Sequence, residues 1–81
     1  MKLDVRLFAR ARDAAGAERV TVELPAGARV ADLRAALAAR SPNLRALVPC
    51  LLVAVGTEYA DDGVLLSPKA EVACFPPVSG G

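Results

Sequence analysis

Eighty-one residues with a formal charge of +1 provide material for one small domain with a single core. At 8.4 kDa such a chain buries roughly 62% of the surface its unfolded form exposes, so spare stability is small. Apolar residues make up 54% of the sequence, which excludes intrinsic disorder, and the near-balanced charge argues against a dedicated nucleic-acid binder.

Seventeen of the apolar residues are alanine, and the packing material proper is 11 Leu, 10 Val, two Phe, Tyr59, Met1 and two Cys. Histidine is absent and the two cysteines stand alone, so no metal site is expected. No run approaches the ~20 apolar residues of a membrane helix, and the opening lacks the unbroken apolar stretch of a signal peptide. A cytoplasmic protein without membrane attachment is therefore expected. Cys50 and Cys74 would stay reduced there and read as small buried hydrophobes.

Lys2 to Phe8 alternates, with Leu3, Val5 and Leu7 on one side and Lys2, Asp4 and Arg6 on the other. That period of two predicts a strand with one wet face, and Phe8 falls on the wet side. Ala9 to Gly16 has helical composition and stops at a glycine. Glu18 to Leu24 alternates again and is expected to pair antiparallel with the first strand; Pro25-Ala26-Gly27 closes it as a turn. From Val30 the period changes: Val30, Leu33 and Leu37 form the apolar stripe of a helix of about three turns. Asp32 suits its first turn, whereas Arg29 at the cap lacks the oxygen that would accept an orphan N–H. Ser41-Pro42-Asn43 ends the helix, and one further turn is predicted over Leu44 to Val48. Cys50 to Val55 reads as a more buried strand, Asp61-Asp62-Gly63 as a solvated turn, Ser67-Pro68-Lys69 as another turn, and Glu71 to Phe75 as the last strand. In the last strand Val72 and Cys74 share one face, and Ala73 and Phe75 the other. This order predicts an α+β fold, a helix covering one face of a mixed sheet.

The body carries no catalytic constellation. Without histidine there is no Ser-His-Asp or Cys-His arrangement, and no Gly-rich phosphate loop is present. Arg6, Arg10, Arg12 and Arg19 form a modest basic patch that reads first as a solvated face. The sequence Phe75-Pro76-Pro77-Val78-Ser79-Gly80-Gly81 is different. The prolines end the strand and launch an extended path, and six residue steps beyond Phe75 reach up to roughly 20 Å. Gly80 and Gly81 add no side chain, so this stem can enter a narrow channel in another protein and present a carboxylate.

The FPPVSGG ending, on a domain of this size and strand order, resembles the ubiquitin-like β-grasp sulfur carriers, and most of all the small subunits of molybdopterin synthase. The likeness runs through KLDVRLFARARDAAG, VELPAGARVADLRAAL, LLVAVGTEY and EVACFPPVSGG. Gly56 stands where this family leads one to expect an asparagine, Ser67-Pro68-Lys69 replaces a more acidic glycine turn, and Arg29 replaces a hydroxyl residue at the helix start.

The resemblance implies a mixed sheet of about five strands with one main helix on one face. Residues 1–75 would form the β-grasp domain and residues 76–81 a flexible, extended C-terminal tail. It further implies that the Gly81 carboxylate is adenylated with ATP by a ubiquitin-activating-like adenylyltransferase and then thiocarboxylated by a sulfur donor protein. The tail, with Val78, Ser79 and Gly80, would thread the large catalytic subunit and give sulfur to cyclic pyranopterin monophosphate in molybdenum cofactor biosynthesis. Catalytic acids and bases would come from that subunit, so the chain itself would be a non-catalytic carrier binding no cofactor or metal. Phe8, Phe75, Pro76 and Pro77 are the expected partner-binding residues, two aromatics on a wet face suggesting an apolar docking patch. A sulfur carrier for thiamine, tungsten-cofactor or amino-acid synthesis, a ubiquitin-like modifier joined through Gly81, and an interaction domain with an inert tail are the alternative readings.

Overall fold

Two alternating segments, each apolar on every second residue, supply the first pair of strands, and the rest of the fold is laid against their apolar face. The computed structural model describes residues 1–77, beginning with β1 (Lys2–Leu7), α1 (Ala9–Ala15) and β2 (Arg19–Glu23). Next come α2 (Val30–Arg40), short 3-10 turns at Pro42–Leu44 and Val48–Cys50, and the strands β3 (Leu52–Val55), β4 (Glu58–Tyr59) and β5 (Val72–Phe75). The sheet order is β2-β1-β5-β3-β4. β1 and β5 run parallel at its centre, and the other neighbours are antiparallel.

Leu3, Val5, Leu7, Val20, Val22, Val53, Val72 and Cys74 point from the sheet into one core, where Val30, Leu33 and Leu37 of α2 meet them. The mixed five-stranded sheet and the main helix are as expected. A second helix, α1, also packs on the sheet, through buried Ala11. It ends at Gly16, whose φ of 72° places it in the left-handed region that glycine adopts without strain. The opposite face of the sheet carries the alternating exposed side chains of β1 and β2.

Arg29 is a poor cap by residue type, and its role is taken by a loop distant in sequence. Val30 and Ala31 donate their orphan N–H groups to the carbonyls of Val64 and Asp62, at 3.0 and 3.1 Å. The Asp32 carboxylate accepts the Arg29 N–H at 2.8 Å, and Arg29 Nη1 donates to the Gly63 carbonyl at 2.6 Å. The Asp61-Asp62-Gly63 turn thus does more than meet solvent. Asp62 Oδ1 accepts from Arg34 Nε at 2.7 Å, and Arg34 Nη1 donates to the Val48 carbonyl at 2.6 Å, tying two loops to α2.

Gly56 lies in the turn between β3 and β4 with φ of 65°, a conformation open to both asparagine and glycine. The departure from the family pattern there is therefore conformationally neutral.

The two cysteines differ, which corrects the expectation that both are buried. Pro49 draws Cys50 into the 3-10 turn ahead of β3, so its side chain is exposed and the strand begins only at Leu52. Cys74 is buried among the core residues, and desolvation raises its thiol pKa from 9.0 to about 11, with the Arg34 charge acting in the opposite direction. Below pH 9 the thiol is protonated in both folded and unfolded chains and contributes no pH dependence. As the pH rises from about 9 to 11 only the unfolded chain loses the proton, so stability falls by up to roughly 3 kcal/mol. Urea unfolding at pH 8 and pH 11 should show this loss in the native sequence. Cys74→Ala should lack that component, whatever its constant cost in packing.

Candidate functional site

The last described residues leave the sheet from its centre, because β5 lies between β1 and β3. Parallel register sets Leu7 beside Cys74, so the next residues along, Phe8 and Phe75, emerge together on the open face. Their rings stack with centroids 4.7 Å apart and planes 9° apart. Phe8 is extended, with φ −129° and ψ 152°, and Ala9 follows at φ 52°, unusual for a residue with a Cβ. That left-handed step costs about 1–2 kcal/mol and turns the chain back into α1, leaving Phe8 behind on the opposite face.

β3 and β4 extend the cluster. Leu52 lies directly opposite Phe75 and is 39% exposed. Tyr59 lies opposite Ala54, is 72% exposed, and sets its ring edge-on to Phe75 with centroids 6.5 Å apart and planes at 77°. The Arg6 guanidinium stands 5.4 Å from the Phe8 ring centroid, within cation–π range. Pro76, half-buried, and Pro77, exposed, continue directly from this cluster.

The result is an apolar, partly solvated patch with a cationic rim at the root of residues 78–81. Phe8 and Phe75 are brought together there, and Pro76 and Pro77 follow Phe75 in the chain. Val78, Ser79, Gly80 and Gly81 lie outside the described residues. Leu52 and Tyr59 belong to the patch but were not among the sequence-derived candidates, and Arg6 stood out in the sequence only as part of the basic patch. Strict alternation across Leu51 to Val55 places Leu52 outward, and a two-residue turn at Gly56-Thr57 places Tyr59 across from Ala54; these were the available signals. Of the basic residues, Arg6, Arg12 and Arg19 line one small surface pocket together with Glu18; Arg6 faces Arg19 across the strands, and Arg12 lies 3.9 Å from Asp13 with both side chains exposed. Among the described residues, no three His, Cys, Asp or Glu side chains gather as metal ligands would.

The patch can grip another protein by apolar contact, with Tyr59 and Arg6 supplying polar ends. Because Phe75 points away from the core, Phe75→Asp should still unfold cooperatively in urea, losing about 1–2 kcal/mol of ring contact. An unfolded variant by circular dichroism would place Phe75 in the core and remove the patch as a partner surface.

The sequence pattern of the ThiS family matches residues 5–81. The chain is 32% identical over 81 residues to a molybdopterin synthase sulfur carrier subunit of Arabidopsis thaliana, covering 100% of this chain and 84% of that one. It is 37% identical over 83 residues to the protein of the same name from Chlamydomonas reinhardtii, with 100% of both chains covered. The crystal structure of SAMP1, a small archaeal modifier protein from Haloferax volcanii, superposes with a TM-score of 0.90 at 31% identity over 100% of both chains.

Proposed function

Since the chain belongs to the ThiS family of ubiquitin-like β-grasp sulfur carriers, we propose that it is the sulfur-carrying subunit of a molybdopterin synthase. The observation that carries this reading is the extent of the likeness. It continues through residue 81, beyond the last core residue, so the matched span includes the positions of Gly80 and Gly81.

In this reading Gly81 holds the reacting carboxylate. A free carboxylate resists attack because oxide is a poor leaving group. Attack of that carboxylate on the α-phosphorus of ATP, in an adenylyltransferase, releases pyrophosphate and forms an acyl-adenylate. A sulfur donor protein then delivers sulfur at the sulfide level, whose attack on the acyl carbon displaces AMP and leaves a C-terminal thiocarboxylate. Residues 78–81 enter the large synthase subunit, where the sulfur passes to cyclic pyranopterin monophosphate. The part played by the folded body is positional: Phe8, Phe75, Tyr59 and Leu52, with Pro76 and Pro77, grip each partner while the glycines reach its active site. Cys50 and Cys74 have no step in this cycle.

The SAMP1 likeness favours a second reading, in which Gly81 is joined to lysine side chains of other proteins. That reading predicts isopeptide adducts in cell extracts; a dedicated carrier forms none.

Incubation with an activating enzyme, ATP and a sulfur source should place one sulfur on Gly81, located by tandem mass spectrometry. Fragmentation is needed because exchange of oxygen for sulfur has nearly the same nominal mass as oxidation of Met1, Cys50 or Cys74. The sulfur should disappear on adding the pterin precursor with the large subunit, and removal of Gly81 should abolish charging. An unmodified Gly81 under conditions that charge a known carrier would refute the proposal.

A further inference from the structure

The free edge of β2 carries a pattern that fits one particular strand, namely its own copy. The hydrogen-bond phase is fixed at both ends of the β1–β2 pair. Met1 and Leu24 exchange bonds of 2.6 and 2.8 Å, and Leu7 N–H donates to the Glu18 carbonyl at 2.8 Å. Antiparallel pairing alternates, so Val20 and Val22 bond inward to β1, while Arg19, Thr21 and Glu23 turn their N–H and C=O groups outward. Among the described residues β2 pairs with no other strand on that side.

Natural edges are guarded, commonly by charge of one sign. Here the signs are mixed in a self-complementary order. A second copy running antiparallel about a two-fold axis at Thr21 sets Arg19 opposite the other copy's Glu23, Thr21 opposite Thr21, and Glu23 opposite Arg19. Each of these three pairs then has its backbone groups pointing at each other, which permits roughly six bonds across the seam.

The open face supplies the second observation. Arg19 meets Arg6 across the β1–β2 pair, a like-charge pair that weakens a sheet, and among the described residues no acidic side chain bridges to it. The pairing would give Arg19 the carboxylate it lacks, in a row that runs Arg6, Arg19, then Glu23 and Lys2 of the other copy; Lys2 and Glu23 already lie 3.6 Å apart. The Thr21 hydroxyl donates to Asp4 Oδ1 at 2.7 Å, so the central row is held on both sides. On the helix face, a groove of about 550 Å³ runs between the β2 edge and Ala36, Ala39 and Arg40 of α2. Alanines there leave room for the helix of the other copy to approach along the same face.

We infer that β2 is a homotypic docking edge, through which two copies join into one continuous sheet about Thr21. The inference is independent of the sulfur-carrier reading. The seam is short, below the ~1,000 Å² total of a stable interface, so the dimer should form at roughly 0.1–1 mM. β5 lies two strands from the seam, so both tail roots stay free.

Sedimentation velocity at low salt, up to about 2 mM, should show a concentration-dependent rise toward the dimer, and the amide resonances of residues 19–23 should shift with it. Arg19→Glu and Glu23→Arg should each weaken association about tenfold, and the double exchange should restore it. Thr21→Pro should abolish association, because the N–H it removes is unused within the fold. Circular dichroism confirms that each variant is folded. A monomer at every concentration would overturn the inference and leave the edge open to a strand of a different protein. Association that survives the single exchanges would overturn it equally, by placing the contact elsewhere.

Discussion

The parallel pairing of β1 with β5 joins the first strand to the last described one, and both faces of the sheet depend on it. On the inner face it brings Val5 and Leu7 beside Val72 and Cys74, completing the core beneath α2. On the outer face the same register sets Phe8 against Phe75. Loss of that pairing would separate the halves of the core and scatter the aromatic patch together. The contact spans most of the chain, so its closure entropy must be repaid by the apolar burial that it creates.

This arrangement suits the proposed carrier role, in which Gly81 holds the reacting carboxylate. A strand at the centre of the sheet is held on both sides, so Phe75, Pro76 and Pro77 depart from a rigid base. The left-handed Ala9 stores a small strain to place one ring of the grip. The Arg34 clamp holds the loops that cap α2, away from the open face. Core, cap and grip thus occupy different surfaces, and a partner can cover the open face without displacing a core residue.

Much of this was legible in the sequence because period and residue type report local geometry directly. Leu3-Val5-Leu7, Val20-Val22 and Val72-Cys74 announced their strands, and Val30-Leu33-Leu37 announced the helix. The wet-side position of Phe8 and Phe75 followed from the same alternation, but their stacking required the order β2-β1-β5-β3-β4, which no local pattern encodes. The capping of α2 was hidden for a related reason: its acceptors are backbone carbonyls of residues 62 and 64, whose identity leaves no mark on side-chain chemistry. Cys50 continues the apolar run of β3 in the sequence, but with Pro49 it forms a 3-10 turn ahead of the strand, which an apolar run alone does not reveal. Tyr59 was missed because a two-residue strand is too short to show a period.

In the proposed function the folded body grips partners through the open-face cluster while the reaction proceeds at Gly81. Single-turnover sulfur transfer from thiocarboxylated protein to the pterin precursor, measured against large-subunit concentration, separates the two roles. With Phe8→Ala the half-saturating concentration should rise about tenfold while the rate at saturation stays unchanged. A reduced saturating rate at unchanged half-saturation would contradict the account, because the aromatic cluster would then act on the chemical step itself.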